Sequence, residues 1–398
     1  MTQATPRGPI RTAYDLPEPT YDADLVLVGR GTPGGELFRR YWQPVAVAAQ
    51  VGDLPVAIRV LGEDLILFKE PGGKFGLMHP RCAHRGTSLF YGKVEAGGIR
   101  CCYHGWKFDT EGRCVEQPCE KDGGKAKDRI RQPWYPVREQ YGLVFAYMGP
   151  FDRMPELPRY DILEEVADGH RLIADDKSIG SGGPYQMPCN WLQTHENVMD
   201  GYHVPILHGS FSGPQFNEMM GIMPETEWHS YDYSVTETKV RHLDAKRTLT
   251  RVLEVIVPNI RIVADPGLQR MGRSDNVSWT VPIDDTNTKI FTVMNLPNNV
   301  PAPKQGVRKM YGGKTWFELD DEGHQRYPGD YEAQVSQGAI TWHSEEHLAG
   351  TDRGVVMLRR LLRHNIEIVK QGGDPVLAGP GANPIITVKA CNTMASTE

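Results

Sequence analysis

Residues 81–109 read RCAHRGTSLFYGKVEAGGIRCCYHGWKFD. Cys82 and His84 form one tight pair, Cys101 and His104 a second, and sixteen residues separate His84 from Cys101. Gly86 and Gly105 follow the pairs as turn formers. In extended chain, residues two apart project to the same side, so Cys82 and His84 reach one point, and Cys101-x-x-His104 does the same around a tight turn. Two thiolates and two imidazoles converging from two loops call for a metal or a cluster. A structural Cys2His2 zinc site usually pairs Cys with Cys and His with His. Here each pair mixes the two types, so each loop offers one ligand to each of two irons. That suits a [2Fe–2S] centre in which two His replace two Cys on one iron. Cys102-x-His104 also fits a ligand spacing, and spacing alone leaves Cys101 and Cys102 open.

The remainder of the chain bounds this reading. With 398 residues, roughly three quarters of the unfolded surface can be buried without disulfide staples, and two domains are expected. The net charge of −6 favours solubility and argues against a nucleic-acid partner. No run approaches the roughly 18 apolar residues that span a bilayer, so no membrane association is expected. The start, MTQATPRGPIRTAYDLPEPTYDAD, lacks an apolar signal core. The seven cysteines (82, 101, 102, 114, 119, 189 and 391) are odd in number and irregularly spaced, and reduced thiols in a cytoplasmic protein are expected. Cys114 and Cys119 receive no role.

Three segments follow from the pattern: a polar arm over 1–43, a first domain over 44–150 and a second over 151–398. Runs such as VAIRVLGEDLILFKE and YGLVFAYMG alternate and are separated by Gly, Pro and Asp turns, which predicts a small all-β unit. GPFDRMPELPRYD (149–161) has no periodicity and marks the boundary. Beyond it lie a helix starting near Asn190 and the strand-like runs EWHSYDYSVTETKV, TRVLEVIVPNIRIVAD, NVSWTVPID and TKIFTVMNL. The final strong element carries Val355, Leu358, Leu362, Ile366 and Val369 at helical spacing and ends at Gly372 and Gly373. The second part therefore reads as an antiparallel sheet bracketed by helices, and the whole as α+β.

CNWLQTHENVMDGYHVPILHGS holds a second constellation. If 190–203 is helical, Glu196, Asp200 and His203 share one stripe, while Trp191, His195, Val198 and Tyr202 form a neighbouring, largely apolar face. Pro205 disfavours helix at Val204. His208, five residues beyond His203, is about 140° away on an unbroken helix, so the Pro-containing break is what brings both imidazoles to one point. The bland alternative is an amphipathic helix with an ordinary polar face. A competing motif, His343-Ser-Glu-Glu346-His347, matches H-x-x-E-H, in which two His hold zinc beside a general-base Glu, with Glu367 the best third ligand. That peptidase reading leaves the Cys/His loops unexplained.

CAHRGTSL…CCYHGWKFD resembles the Rieske signature C-x-H-x(15–17)-C-x-x-H-G-W of aromatic ring-hydroxylating oxygenases, and the family supports Cys101 as the ligand. Cys102 stands where the family usually has Pro. Respiratory Rieske proteins carry an additional Cys in each loop, and Thr87 occupies the position of the first, so that disulfide is not expected. E-N-x-x-D-x-x-H-x(4)-H resembles the mononuclear-iron motif of the same oxygenases. Non-heme Fe(II) sites use two His and one carboxylate. Asp352, three residues before Val355 in a segment resembling the family's third-ligand region, is the candidate carboxylate beside His203 and His208, with Glu345 and Glu346 as competitors. The arm, GTPGGELFRRYWQPVAVA and DRGVVMLRR are similar to the phthalate dioxygenase branch, which includes aryl O-demethylases and phenoxybenzoate-type ether-cleaving enzymes.

The resemblance implies an N-terminal Rieske [2Fe–2S] domain and a C-terminal helix-grip (START-like) domain. It also implies one mononuclear Fe(II), an aromatic acid and O2 as substrates, and a homotrimer. No nicotinamide or flavin module and no plant-type ferredoxin Cys spacing is evident, so electrons are expected from a separate reductase with a flavin and a ferredoxin-type centre. Asp200 is expected to accept the free N–H of His203 and, by resemblance, to bridge to His84 or His104 of a neighbouring subunit. Asn197 and Trp191 are expected near the pocket. Arg251, Arg261, Arg359 and Arg360 are the available carboxylate anchors. Dihydroxylation, O-demethylation and ether cleavage all remain open, as does a Rieske electron-transfer protein without chemistry of its own.

Overall fold

A computed structural model describes residues 13, 16–177, 183–304, 306, 307, 309, 311–377 and 385–396. Much of the arm before residue 16 lies outside these. The arm's short helix α1 (Pro33–Arg39) is capped by the Thr32 side chain, which accepts the Gly35 N–H, and it packs against the last helix of the chain.

The first half of the chain is all β. Strands β1 (Gln43–Val47), β2 (Val56–Val60), β3 (Glu63–Lys69), β4 (Phe75–Met78), β5 (Lys93–Glu95), β6 (Gly98–Arg100), β7 (Lys107–Phe108), β8 (Cys114–Glu116), β9 (Trp134–Tyr135), β10 (Val137–Gln140) and β11 (Leu143–Ala146) form three antiparallel sheets, ordered β1-β11-β10, β2-β3-β4-β9 and β5-β6-β7-β8. The run VAIRVLGEDLILFKE is thus a hairpin. Its turn residues, Leu61 and Gly62, both take positive φ (48° and 76°), the geometry that matches strand twist in two-residue turns. Their amides donate to the Pro282 and Ile283 carbonyls at 3.0 and 2.9 Å, tying this half to the second. A separate apolar cluster of Ile66, Phe68, Met78, Leu89, Ile99, Trp106 and Phe108 lies with the buried thiols Cys82 and Cys101.

The second half is built on a ten-stranded sheet. Its main path uses β12 (His170–Asp175), β13 (Glu225–Ser230), β14 (Ser234–His242), β15 (Arg247–Ile256), β16 (Ile260–Ile262), β17 (Asn276–Asp284) and β18 (Asn287–Pro297), in the order β12-β18-β17-β16-β15-β14-β13. All four strand-like runs of the sequence fall on it. Helices α2 (Trp191–Glu196), α3 (Asp330–Val335) and α4 (Arg353–Lys370) flank it, and β19 (Cys391–Ser396) pairs with β15. On α4 the expected stripe Val355, Leu358, Leu362, Ile366 and Val369 is buried at 8% exposure or less. Each such side chain contributes roughly 2 kcal/mol by leaving water.

One expectation changes here. The segment after Asn190 is not a continuous helix to residue 203. Helix α2 ends at Glu196, a 3-10 turn covers Asn197–Met199, and Asp200 is extended (ψ 94°). Glu196 therefore leaves the stripe of His203 and pairs instead with Arg359 at 2.6 Å. A π-helix, Val204–Phe211, follows, with Pro205 in its first turn, where a missing N–H costs nothing. In a π-helix the bonding runs from i to i+5, as in the Ser212 N–H to Leu207 carbonyl contact of 3.4 Å. Residues five apart then return to one face. Widening of the helix, rather than a break, brings His203 and His208 together.

Candidate metal centres

The two Cys/His loops share one hydrogen-bond pattern. The Cys82 amide donates to the Thr87 carbonyl at 2.9 Å and its carbonyl accepts from Gly86 at 2.8 Å. The Cys101 amide likewise donates to the Trp106 carbonyl at 2.8 Å, and its carbonyl accepts from Gly105 at 3.1 Å. Gly86 and Gly105 close these turns at φ 77° and 73°, a region open to glycine at no steric cost. Cys82 and Cys101 are each 3% exposed, whereas His84 and His104 are half-buried with ring centroids 4.6 Å apart. His84 also stacks on Trp106 at 4.3 Å. Burial pushes the Cys82 thiol up to about 11, so its thiolate needs a bound cation. Buried sulfurs with outward imidazoles fit a [2Fe–2S] group ligated by two Cys and two His. Cys102 is exposed, away from the buried pair.

The second centre differs from expectation. His203, His208 and Asp330 each offer a ligand atom, and these lie within 4.8 Å of one another. Asp330 Oδ1 is 3.2 Å from His208 Nε2 and 3.7 Å from His203 Nε2. Asp352 is not part of the group. It precedes α4 as its N-cap, and its carboxylate turns back to accept the Ala349 N–H at 2.7 Å. The helical stripe that begins at Val355 does not extend to a residue outside the helix, which is why its spacing misled.

A neighbouring group stands beside the Nδ1 atom of each imidazole. His208 Nδ1–H donates to Gln215 Oε1 at 2.6 Å, and the Gln215 amide is oriented because its Nε2 donates to the Pro328 carbonyl at 3.2 Å. Asp200 Oδ2 stands 3.5 Å from His203 Nδ1. These contacts turn the Nε2 atom of each ring toward Asp330, the atom each would offer a metal. Asn197 Nδ2 donates to Asp330 Oδ1 at 3.0 Å, as its expected place near the pocket implied. Burial opposes the Asp330 charge, yet the His208 and His203 imidazoles and the Arg261 guanidinium hold its carboxyl well below the usual carboxylate range. Two imidazoles and one carboxylate fit a non-heme Fe(II) site with open positions.

Asp330 is the first residue of α3. Glu332 closes that turn, one carboxylate oxygen accepting the Gly329 N–H at 2.8 Å and the other accepting from Trp316 Nε1 at 2.7 Å. Trp191 does not line this centre; it packs edge-on against Phe38 in the core. The H-x-x-E-H motif is committed elsewhere. His343 Nδ1 accepts the Asp22 N–H at 3.1 Å, Glu346 pairs with Arg359 at 2.5 Å, and the segment is a 3-10 turn rather than an α-helix.

The Rieske [2Fe-2S] domain family matches residues 41–136. The chain is 47% identical over 360 residues to the phenoxybenzoate dioxygenase subunit alpha of Ectopseudomonas oleovorans, covering 89% of this chain and 87% of that one. The chain belongs to the Rieske non-heme iron oxygenases. This oxygenase is also 38% identical over 382 residues to a tert-butanol monooxygenase / tert-amyl alcohol desaturase oxygenase subunit from Aquincola tertiaricarbonis, covering 90% of this chain and 79% of that one. Dicamba monooxygenase bound to 3,6-dichlorosalicylic acid has a similar fold, with a TM-score of 0.60 at 17% identity, covering 84% of the oxygenase and 98% of that chain. No helix among the described residues is long and apolar enough to cross a membrane.

Proposed function

We propose that this oxygenase hydroxylates an aromatic carboxylate, with cleavage of an aryl ether as the outcome, using O2 and electrons from a separate flavin- and ferredoxin-type reductase in the cytoplasm. The observation that carries the reading is the pair of Nε2 atoms, on His203 and His208, directed at one carboxylate oxygen of Asp330. These three residues would hold Fe(II), and Cys82, His84, Cys101 and His104 would hold the cluster. When bound, the cluster supplies single electrons and the iron supplies O2 activation. Asp200 keeps the His203 ring in one orientation, Gln215 does so for His208, and Asn197 steadies the Asp330 carboxylate. The aromatic acid and the ether are drawn from the phenoxybenzoate dioxygenase relationship.

Asp200 is also proposed to link subunits in a head-to-tail trimer, its carboxylate reaching His84 or His104 of a neighbouring subunit. Two features support this. The Asp200 side chain is 35% exposed although it borders the metal group, and Tyr103, beside His104, is 58% exposed. The function is tested by iron and sulfide content, then O2 uptake with 3-phenoxybenzoate and a surrogate reductase. About three iron and two sulfide per chain, with uptake that depends on the acid, is the expected result. Uptake with tert-butanol but not with any aryl acid overturns the substrate class, and zinc without sulfide overturns the whole reading.

A further inference from the structure

The first Cys/His loop is braced by a side chain from outside it. Gln132 is fully buried, and its amide reaches three backbone groups between residues 79 and 83. Its Nε2 donates to the His79 and Arg81 carbonyls, both at 2.8 Å, and its Oε1 accepts the Ala83 N–H at 2.8 Å. Both amide hydrogens and the oxygen are matched; a flipped amide would set NH2 against an N–H and oxygen against two carbonyls. The Gln132 backbone is itself pinned. Its N–H donates to the Gly112 carbonyl at 2.7 Å, and the adjacent Pro133 carbonyl accepts the His79 N–H at 2.9 Å. A Cβ on Gly112 would fall 2.1 Å from the Gln132 carbonyl oxygen, so the approach is as close as glycine allows.

These bonds complete a set around Cys82. The peptide unit before Cys82 has its N–H on the Thr87 carbonyl and its C=O, that of Arg81, on Gln132 Nε2. The unit after it has its C=O on the Gly86 N–H and its N–H, that of Ala83, on Gln132 Oε1. Each plane is held at one end by the loop and at the other by Gln132. With both planes fixed, so is the direction of the Cα–Cβ bond that carries the sulfur. Burial raises the Cys82 thiol, and the His84 and Arg85 N–H groups directed at its sulfur pull the other way. The intervening Ala83 N–H is turned aside to Gln132. The second loop is braced by a charged group: Arg100 Nη1 donates to the Gly105 carbonyl at 2.9 Å, and Glu95 and Glu116 hold its guanidinium.

We propose that Gln132, which the sequence alone does not single out, is a positioning residue that sets the reduction potential of the cluster: by holding both peptide planes beside Cys82 it keeps the His84 and Arg85 N–H groups aimed at the Cys82 sulfur. This rests on the cluster ligands proposed above. Hydrogen bonds to the sulfurs are among the factors that set the potential of an iron–sulfur group. Donated N–H groups favour the reduced, more negative state, so the brace holds the potential up and eases entry of an electron from the reductase.

The test is voltammetry of the purified holoprotein, with electron paramagnetic resonance of its dithionite-reduced form. Gln132→Met keeps the side-chain length and removes all three bonds. At wild-type iron and sulfide content, its oxidised-to-reduced ratio at a given applied potential should rise about tenfold, a fall of about 59 mV for a one-electron couple, with shifted g values. Leu67→Ala, in the larger apolar core, should lower the melting temperature and leave both readouts in place. An equal shift in Leu67→Ala, or a loaded Gln132→Met whose ratio stays within about twofold of wild type, overturns the assignment. Should Gln132→Met hold no cluster, Gln132→Glu keeps the acceptor for the Ala83 N–H and loses the donors; its potential should also fall, and an unchanged value overturns the assignment. If both variants fold by circular dichroism and neither holds a cluster, Gln132 serves assembly alone and the assignment is overturned. Wild type without sulfide overturns the cluster ligands themselves, and this proposal with them.

Discussion

Asp330 Oδ1 lies 3.2 Å from His208 Nε2 although 122 residues separate them in the chain. The contact makes Asp330 the proposed acidic ligand, and substitution separates it from the candidate that spacing suggested. Asp330→Ala should retain two iron and two sulfide, lose the remaining iron, and lower turnover by at least about 100-fold. Asp352→Ala should keep full iron content and lose only the bond its carboxylate accepts from the Ala349 N–H, about 1 kcal/mol. Metal analysis beside a thermal melt reads both. Loss of iron in Asp352→Ala with none in Asp330→Ala reverses the assignment.

Gln215 acts through His208. Gln215→Leu removes the acceptor of the His208 Nδ1–H and frees the ring to turn, so Fe(II) affinity should fall about 10–100-fold with the cluster spectrum unchanged. Anaerobic Fe(II) titration of the metal-depleted variant measures this. An unchanged dissociation constant would show that the 2.6 Å contact does not orient the ring.

Two adjacent cysteines separate by burial. Cys101→Ala should yield colourless protein lacking sulfide, whereas Cys102→Ala, altering an exposed side chain, should keep the cluster and its absorption. Gly105→Ala should also impair cluster assembly, because φ of 73° strains any other residue by about 1–2 kcal/mol and the added methyl falls 2.7 Å from Pro118 Cγ.

Arg359, 5% exposed, holds two carboxylates, those of Glu196 and Glu346. Arg359→Met leaves both without their partner and should cost about 3 kcal/mol, or roughly 4 °C in the melting temperature. Iron content at low temperature should persist, since none of the three touches the metal group. A melt shifted by less than 2 °C would falsify the pairing.

The strands were legible because alternation is a local property: each run named from the sequence folds as β, and the stripe from Val355 to Val369 is the buried face of α4. Both Cys/His loops were legible for the same reason, since spacing and glycines fix them within six residues. The proposed third iron ligand was not. Asp330 follows a Pro-Gly pair in a segment with no periodicity, and only tertiary folding brings it beside His208. Asp352 was chosen by running helical phase onto the N-cap, outside the helix proper. The π-helix was hidden as well, because a five-residue spacing suggests misalignment on any regular α-helix.

The Pro328 carbonyl receives hydrogen bonds from Ser212 Oγ at 2.6 Å and Gln215 Nε2 at 3.2 Å, two residues before Asp330. One acceptor thus yokes the segment bearing His208 to the segment bearing Asp330 through hydrogen bonds of the protein itself. The ligand cage is preorganised, so little ordering remains to be done when the ion arrives. Loading with Fe(II) would then be a docking event, limited by encounter and dehydration, rather than a folding transition in which distant pieces of chain must first find each other.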